Sequence, residues 1–121
     1  MTPDASGRLR GIVLSVEDMD AECAFYEKVL GLTVRFRDGD RWAAFDTDGI
    51  SFGLAGAEER LPDRAALSVK TVDVDAAVDR AVEAGATVAV PAADGGHERR
   101  AAVRDPAGQL VVFYSPLEAG S

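Results

Sequence analysis

The chain has 121 residues, of which 47% are hydrophobic and 28% are charged, and its formal net charge is −8 at pH 7. This length fits one domain with a real core and leaves no room for two independent domains. The acidic balance argues against nucleic acid as a partner, because phosphates require clustered Lys and Arg side chains. No run approaches the roughly 20 apolar residues that span a bilayer, and the N-terminal "MTPDASGRLR" is not a secretion signal. We therefore expect a cytoplasmic protein that binds neither membranes nor nucleic acid.

The first half of the chain predicts a strand, a helix and three further strands. "GIVLS" is a short β-rich run, and "VEDMDAECAFYEKVLG" follows it as a helix that Asp18 can cap and Gly31 can end. "LTVRFR" and the segments around the turn "DTDG" supply the remaining strands. The single cysteine, Cys23, falls within the helical pattern. We expect it to be a small buried side chain and not a nucleophile.

The second half repeats this order. "ALSVK" is followed by "TVDVDAAVDRAVEAG", in which Asp73 is the expected cap and apolar residues recur at helical spacing. "ATVAVP" and the turn "DPAG" (Asp105 to Gly108) match their counterparts, and "PAADGGHERR" is predicted to be a polar loop between strands. An internal repeat of this kind predicts two copies of one supersecondary unit.

The predicted fold is α+β, with two tandem βαβββ modules in a single domain over residues 1–121. The first module covers about residues 8–57, "EERLPDR" (58–64) is the linker, and the second module covers about residues 65–116. One helix cannot cover both faces of four strands. Two modules are therefore expected to form a curved, mixed eight-stranded sheet with helices on its convex face and a ligand on its concave face.

These motifs resemble the vicinal-oxygen-chelate superfamily, which includes glyoxalase I, extradiol dioxygenases, fosfomycin-resistance enzymes and bleomycin-resistance proteins. The resemblance rests on "VEDMDAECAFYEKVLGL", "VDVDAAVDRAVEAGATV" and "RDPAGQLVVFY" and covers roughly residues 8 to 116. Enzymes of this superfamily usually hold a divalent metal with His or Glu on the first and last strands of each module. The resemblance implies that these positions are Gly11, Gly53, Ala66 and Val112 in this chain, and none of them carries a metal-binding atom. We expect a metal-free member without a cofactor.

Strand residues alternate between two faces, so the concave face can be predicted from the residues that the helices must cover. Trp42 is the best candidate for stacking on a ligand, although Trp42, Phe36 and Phe45 could equally pack in the core or an interface. His97 is a solvated loop residue, a ligand contact or, as the least favoured alternative, a metal ligand. The predicted ligand-binding residues are Trp42, Phe45, Phe36, Ser15, Ser68, Lys70, Val112, Tyr114 and His97. Five arginines form either a solvated rim or, if two point inward, contacts to an anionic or carbonyl-bearing ligand: Arg35, Arg37, Arg41, Arg99 and Arg100.

Three function classes follow. The first is a homodimeric, non-catalytic protein that resembles bleomycin-resistance proteins and sequesters a bulky small molecule, such as an aromatic or peptide natural product or an antibiotic. The alternative is a metal-independent lyase or isomerase that uses Lys70, Tyr114 or His97 for proton transfer. A metalloenzyme is the least favoured class, because the chain has one histidine.

Overall fold

A computed structural model of the chain describes residues 7–59 and 61–117. These residues form eight strands, two α-helices and one short 3₁₀ helix, in the order β1 (Arg8–Ser15), α1 (Met19–Leu30), β2 (Thr33–Asp38), β3 (Trp42–Asp46), β4 (Ser51–Ala55), the 3₁₀ helix (Ala57–Glu59), β5 (Ala65–Lys70), α2 (Val74–Glu83), β6 (Thr87–Asp94), β7 (Glu98–Arg104) and β8 (Leu110–Pro116). The first six residues of the N-terminal stretch, and Arg60 of the predicted linker, lie outside the described residues.

Backbone contacts divide the described chain into two compact units. The first unit is Gly11–Ala66, and the second is 67–117 together with 7–10. The strand order is β2-β3-β4-β1 in the first unit, where β1 is parallel to β4 and the other pairs are antiparallel. The order is β5-β8-β7-β6 in the second unit, where β5 is parallel to β8. The structure confirms the predicted α+β class. It has two βαβββ repeats, mixed strand pairing and two helices.

Both helices begin at the predicted caps. Asp18 has an extended backbone, and its carboxylate accepts a hydrogen bond from the Ala21 N–H at 3.0 Å. Asp73 accepts a hydrogen bond from the Ala76 N–H at 3.0 Å in the same way. Each bond satisfies one of the backbone donors that a helix start leaves free. Gly31 ends α1 with φ 68°, in the left-handed region that glycine adopts without steric cost.

The core of the first unit lies between α1 and one face of its strands. Its buried members are Val16, Met19, Cys23, Ala43, Phe45 and Leu54, with Leu14, Tyr26, Leu32, Val34 and Phe52 packed against them. The Tyr26 ring meets Phe52 edge-on at 5.0 Å, and Phe45 stacks on Phe52 at 5.5 Å between ring centroids. Burial raises the pKa of the Cys23 thiol, which favours its neutral form. Cys23 is therefore the buried apolar residue that the sequence predicted.

The helix-facing side of the second unit is built from smaller residues. Ala101 and Val103 on β7 pair with Phe113 and Val111 on β8. Ala101 and Val103 are 0% and 2% exposed. Phe113 also lines a groove of about 250 Å³ beside α2, whose other lining residues are Gly7, Ala77, Arg80, Ala81 and Ala84. The fully buried residues on this side are thus alanine and valine, whereas the first unit fully buries the Phe45 ring and packs the partly buried Tyr26 and Phe52 against it.

The prediction of a polar loop over "PAADGGHERR" was wrong in extent. β6 continues to Asp94 and β7 begins at Glu98, so only residues 95–97 connect the two strands. The backbone N–H of Gly95 donates to the Glu98 carbonyl at 2.7 Å, which closes a tight hairpin. Register shifts between Val88 and Ala93 show that β6 pairs irregularly with β7. Such bulges allow a strand that contains Pro91 and polar residues to stay paired.

Candidate functional site

In the first unit, the strand register defines a face opposite α1. Because paired residues on neighbouring strands point to the same side, Phe36, Ala44, Gly53 and Val13 form one row across β2, β3, β4 and β1. Asp38, Trp42, Ala55 and Ser15 form the adjacent row. We call these two rows the Trp42 face. Its floor consists of small side chains, so the rings of Phe36 and Trp42 are its largest features.

Trp42 leans diagonally over Gly53. A methyl group added at Gly53 would overlap the six-membered ring of the indole, so only glycine leaves room for the ring there. Trp42 itself is partly exposed, and Phe36 on the same face is 57% exposed. In the described part of the chain, neither ring stacks on another aromatic side chain. The Trp42 face therefore offers two apolar rings with free surface.

Phe45 lies on the other side of β3 from Trp42. Its ring is 1% exposed, and it is stacked on Phe52 and in contact with Tyr26. The sequence-based assignment of Phe45 to the ligand-binding set is corrected here, because a ligand on the Trp42 face cannot reach a side chain beneath the sheet. Phe45 is a core residue of the first unit.

Ser15 holds the chain segment that follows the 3₁₀ helix. Its hydroxyl donates to the Asp63 carbonyl at 3.0 Å and accepts from the Leu61 N–H at 3.2 Å. Ser15 also lines a cleft of about 500 Å³ at the start of α1, together with Val16, Glu17, Asp18, Glu22, Leu61, Pro62, Asp63 and Arg64. Because both hydrogen-bonding roles of the hydroxyl are filled, Ser15 contributes to positioning this segment more than to contacting a ligand.

In the second unit, the register defines a corresponding face opposite α2. Lys70, Tyr114 and Arg100 lie side by side on β5, β8 and β7, and we call them the Tyr114 row. The adjacent row contains Ser68, Val112 and Ala102. The strands thus bring Lys70, Tyr114, Ser68 and Val112 together on one face, as predicted by alternation. Val112 is only 5% exposed, so it offers little surface to a ligand.

His97 lies apart from the Tyr114 row, in the hairpin between β6 and β7. Its side chain is exposed, and its backbone carbonyl accepts a hydrogen bond from the Leu117 N–H at 3.0 Å. The structure therefore places His97 at the end of the hairpin and does not group it with Lys70 and Tyr114. This position agrees better with a solvated loop histidine than with a residue that contacts a ligand.

Residues at the superfamily's metal positions do not fit a metal ion. Gly11 and Gly53 have no side chain, and Ala66 and Val112 carry only methyl and isopropyl groups. A methyl group at Gly11 would overlap the Ser51 backbone, and one at Gly53 would overlap the indole. Throughout residues 7–59 and 61–117, no group of three or more His, Cys, Asp or Glu side chains is arranged to hold an ion.

Arg100 is the residue whose place on this face the sequence left open. The segment "ERRAAVR" does not alternate polar and apolar residues, so its pattern cannot tell which arginine points away from α2. An indirect signal in the sequence could have distinguished the two arginines. The helix α2 begins with acidic residues, and the arginine that pairs with them must face the helix. Arg99 does so, because its guanidinium lies 2.9 Å from an Asp75 carboxylate oxygen and 3.0 Å from one of Asp94.

The two βαβββ repeats agree with a known protein family. Residues 11–113 match the glyoxalase-like domain family, so the chain belongs to that family and to the vicinal-oxygen-chelate superfamily. The resemblance stated from the sequence is confirmed, while membership of a metal-free branch stays a prediction. Neither helix in the described residues has the length and apolar character needed to cross a membrane.

Particular relatives share this fold over most of their length. An uncharacterized protein of Mycolicibacterium smegmatis is 40% identical over 108 residues, which are 88% of this chain and 92% of that protein. A glyoxalase/bleomycin resistance protein/dioxygenase superfamily member from Vibrio splendidus 12B01 has a TM-score of 0.69 at 20% identity, covering 91% of this chain and 99% of that one. Methylmalonyl-CoA epimerase from Mycobacterium tuberculosis has a TM-score of 0.62 at 19% identity, covering 91% and 88%. At these identities the two solved structures show a common fold.

Proposed function

We propose that this protein binds a planar, largely apolar small molecule on the Trp42 face without using a metal ion. Its role would be to sequester a bulky natural product such as an antibiotic, as bleomycin-resistance proteins of the superfamily do. The observation that carries the proposal is the Trp42 indole lying over Gly53, with Phe36 exposed on the same face. A homodimer and a cytoplasmic location stay expectations from the sequence.

The energetic argument concerns the exposed apolar rings. Aromatic stacking contributes about 0.5–1.5 kcal/mol beyond the burial of apolar area, and burial itself contributes about 25 cal/mol per Å². Ala44 and Gly53 between the two rings are too small to block a flat molecule. Gly53 also fixes the tilt of the indole, since the ring rests where a side chain would otherwise project. The indole is therefore held in position, and little ordering of Trp42 is needed on binding.

The proposal excludes a metal for a chemical reason. Superfamily enzymes place ligands at positions that are Gly11 and Gly53 in the first unit, and hydrogen cannot coordinate an ion. At Gly53, moreover, the indole occupies the space that a His or Glu side chain would need. Recognition on the Trp42 face would then come mainly from apolar contact, as in a binding protein.

Trp42 is the only tryptophan in the chain, so its fluorescence reports on this face alone. Planar polycyclic natural products, titrated in the presence of EDTA, should quench this fluorescence and raise the melting temperature. Saturated analogues of similar size should do neither. Calorimetric titration of Trp42→Ala should show about two- to tenfold weaker binding, which corresponds to the loss of one stacking contact.

The matched control uses two exposed phenylalanines. Phe36 on the Trp42 face is 57% exposed, and Phe25 on α1 is 53% exposed. Phe36→Ala should weaken binding, whereas Phe25→Ala should leave it unchanged. Equal losses in both variants, or binding that disappears in EDTA and returns with a divalent metal, would rule out a metal-free aromatic platform.

A metal-independent lyase or isomerase is the second candidate. One observation favours it: Lys70 and Tyr114, two groups capable of proton transfer, are directly paired on β5 and β8. The structural neighbour from Mycobacterium tuberculosis is a methylmalonyl-CoA epimerase, so this fold is compatible with catalysis. Turnover of a bound ligand that is lost in Tyr114→Phe, with binding retained, would favour catalysis over sequestration.

A further inference from the structure

The Tyr114 row contains two cationic side chains without partners. Arg100 is half-buried and Lys70 is exposed. Within residues 7–59 and 61–117, neither side chain makes a hydrogen bond or an ion pair, and the Tyr114 hydroxyl also has no partner. No side-chain nitrogen or oxygen in the described residues is both fully buried and without a hydrogen-bond partner, so the N–H donors of Arg100 stay accessible and can bind an acceptor from outside the chain.

The neighbouring arginine shows that this chain can supply acceptors. Arg99 lies on the opposite side of β7 and binds Asp75 through two hydrogen bonds of 2.9 and 3.0 Å and Asp94 through one of 3.0 Å. In the first unit, Arg37 is held similarly by Asp20 and Asp40. Other cations without a partner in the described residues, such as Arg10 and Arg35, are exposed, whereas Arg100 is half-buried. The contrast between Arg99 and Arg100 points to an acceptor from outside the chain.

We propose that Lys70, Tyr114 and Arg100 bind an oxyanion group of a small molecule, a carboxylate or a phosphate. This site lies in the second unit and goes beyond the proposed aromatic platform of the first, so either proposal can fail alone. Tyr114 is the central residue of the row, and its hydroxyl is the neutral donor between two cationic ones.

The strand spacing makes this arrangement feasible. Neighbouring strands lie about 4.7–4.9 Å apart, so the backbones of Lys70 and Arg100 are separated by roughly 10 Å across β8. Lys and Arg side chains are long enough for both heads to meet above the central phenol. An oxyanion held there would accept charge-assisted hydrogen bonds from both heads, and a guanidinium can bind it through two parallel bonds.

The test uses three probes of one shape: benzoate, phenyl phosphate and the neutral benzamide. Titrations followed by ¹⁵N-edited NMR, including the arginine Nε–H signals, should shift the Arg100 signal with the two anions and not with benzamide. Tighter binding of benzoate would assign the site to carboxylates, and tighter binding of phenyl phosphate would assign it to phosphates. An equal shift of the Arg100 signal with benzamide, or no shift of it with either anion, would overturn the proposal.

Arg100→Gln and Arg99→Gln are matched variants, because each removes one positive charge from adjacent positions on β7. Arg100→Gln should weaken anion binding about tenfold or more, Lys70→Gln should weaken it less, and Arg100→Lys should restore part of the loss. Arg99→Gln should leave binding within about twofold. Equal weakening by both glutamine variants would mean that anion binding depends only on the total positive charge. This result would refute a specific site at Arg100. Amide spectra of each variant check that the fold is retained, and Trp42→Ala should bind the anions as the parent chain does.

Discussion

The two units repeat one backbone plan with different side chains. On the helix-facing side, the first unit packs Tyr26, Phe45 and Phe52 together, whereas the second buries Ala101 and Val103 beneath α2. On the face away from the helix, the first unit presents Trp42 and Phe36 above small residues. The second presents Lys70, Tyr114 and Arg100 instead.

This difference separates the features that the two units share from the features in which they differ. The elements that both units share are set by local signals, such as Asp18 and Asp73 at the helix starts. The faces away from the helices are not constrained by those signals, so one has become aromatic and the other cationic. Fold alone therefore predicts neither face, and each requires its own chemical argument.

The largest expected effect tests the difference between the two cores. Phe45→Ala should lower the free energy of unfolding by about 3–5 kcal/mol, because it removes a ring that is 1% exposed and stacked on Phe52. Val103→Ala in the second unit removes two carbons from a 2% exposed site and should cost about 2 kcal/mol. Urea denaturation of both variants measures the two values.

Phe25→Ala is the control for this comparison, because Phe25 is 53% exposed and its ring meets the Tyr26 ring edge-on at 5.0 Å between centroids. Its cost should stay below that of Phe45→Ala by at least about 2 kcal/mol. If Phe45→Ala and Phe25→Ala proved equally mild, Phe45 would not be the centre of the first core.

A smaller effect is expected at Gly11, where the second sequence module carries Ala66. A methyl group at Gly11 would overlap the backbone of Ser51, its partner on β4, and a backbone atom cannot move aside as a flexible side chain can. Gly11→Ala should therefore cost about 1–3 kcal/mol through overpacking. Thermal unfolding checks this value.

Gly96→Ala provides the comparison, because no atom lies within 4 Å of the added methyl group. This variant should change stability by less than about 0.5 kcal/mol. A Gly11→Ala protein as stable as Gly96→Ala would show that the Ser51 backbone does not restrict the space at Gly11.

The elements of the fold could be predicted because their signals are local. The Asp caps, the closing Gly31 and the Asp-Pro-x-Gly turn each depend on neighbours in sequence, and all were found where expected. The Gly108 N–H, for example, donates to the Asp105 carbonyl at 2.8 Å. Alternation from the first strand of each module also predicted that Lys70 and Ser15 point away from the helices.

The facing of the aromatic residues could not be predicted in the same way. "WAAF" in β3 is apolar throughout, so no polar residue marks which of Trp42 and Phe45 is buried. Phe36 should share a face with Val34 by simple alternation, but a register shift between them turns Phe36 to the side of Ala44. Arg99 and Arg100 were left open because the contact that separates them, from Arg99 to Asp75, spans 24 residues.

The smallest expected effect concerns that same contact and depends on pH. Hydrogen bonds from Arg99 lower the pKa of Asp75 below its ordinary value near 4, so the folded state favours the ionised carboxylate. A folded-state pKa below the unfolded one adds stability above the unfolded pKa and loses it as pH falls through the folded pKa. Asp75→Asn should therefore be destabilised most at neutral pH, and the difference from the parent chain should shrink below about pH 4.

Asp79→Asn removes the same charge from the same helix. Asp79 is exposed and makes no ion pair or hydrogen bond in the described residues, so its variant should not reproduce this loss of stability. The measurement is urea denaturation of the three proteins from pH 2.5 to 7 at two salt concentrations, since salt should weaken the exposed pair. An Asp75→Asn deficit that is constant across this range would mean that ionisation of Asp75 contributes nothing. The ion pair of Arg99 would then not account for its contrast with Arg100, which lies on the other side of β7 and has no carboxylate partner in the described residues.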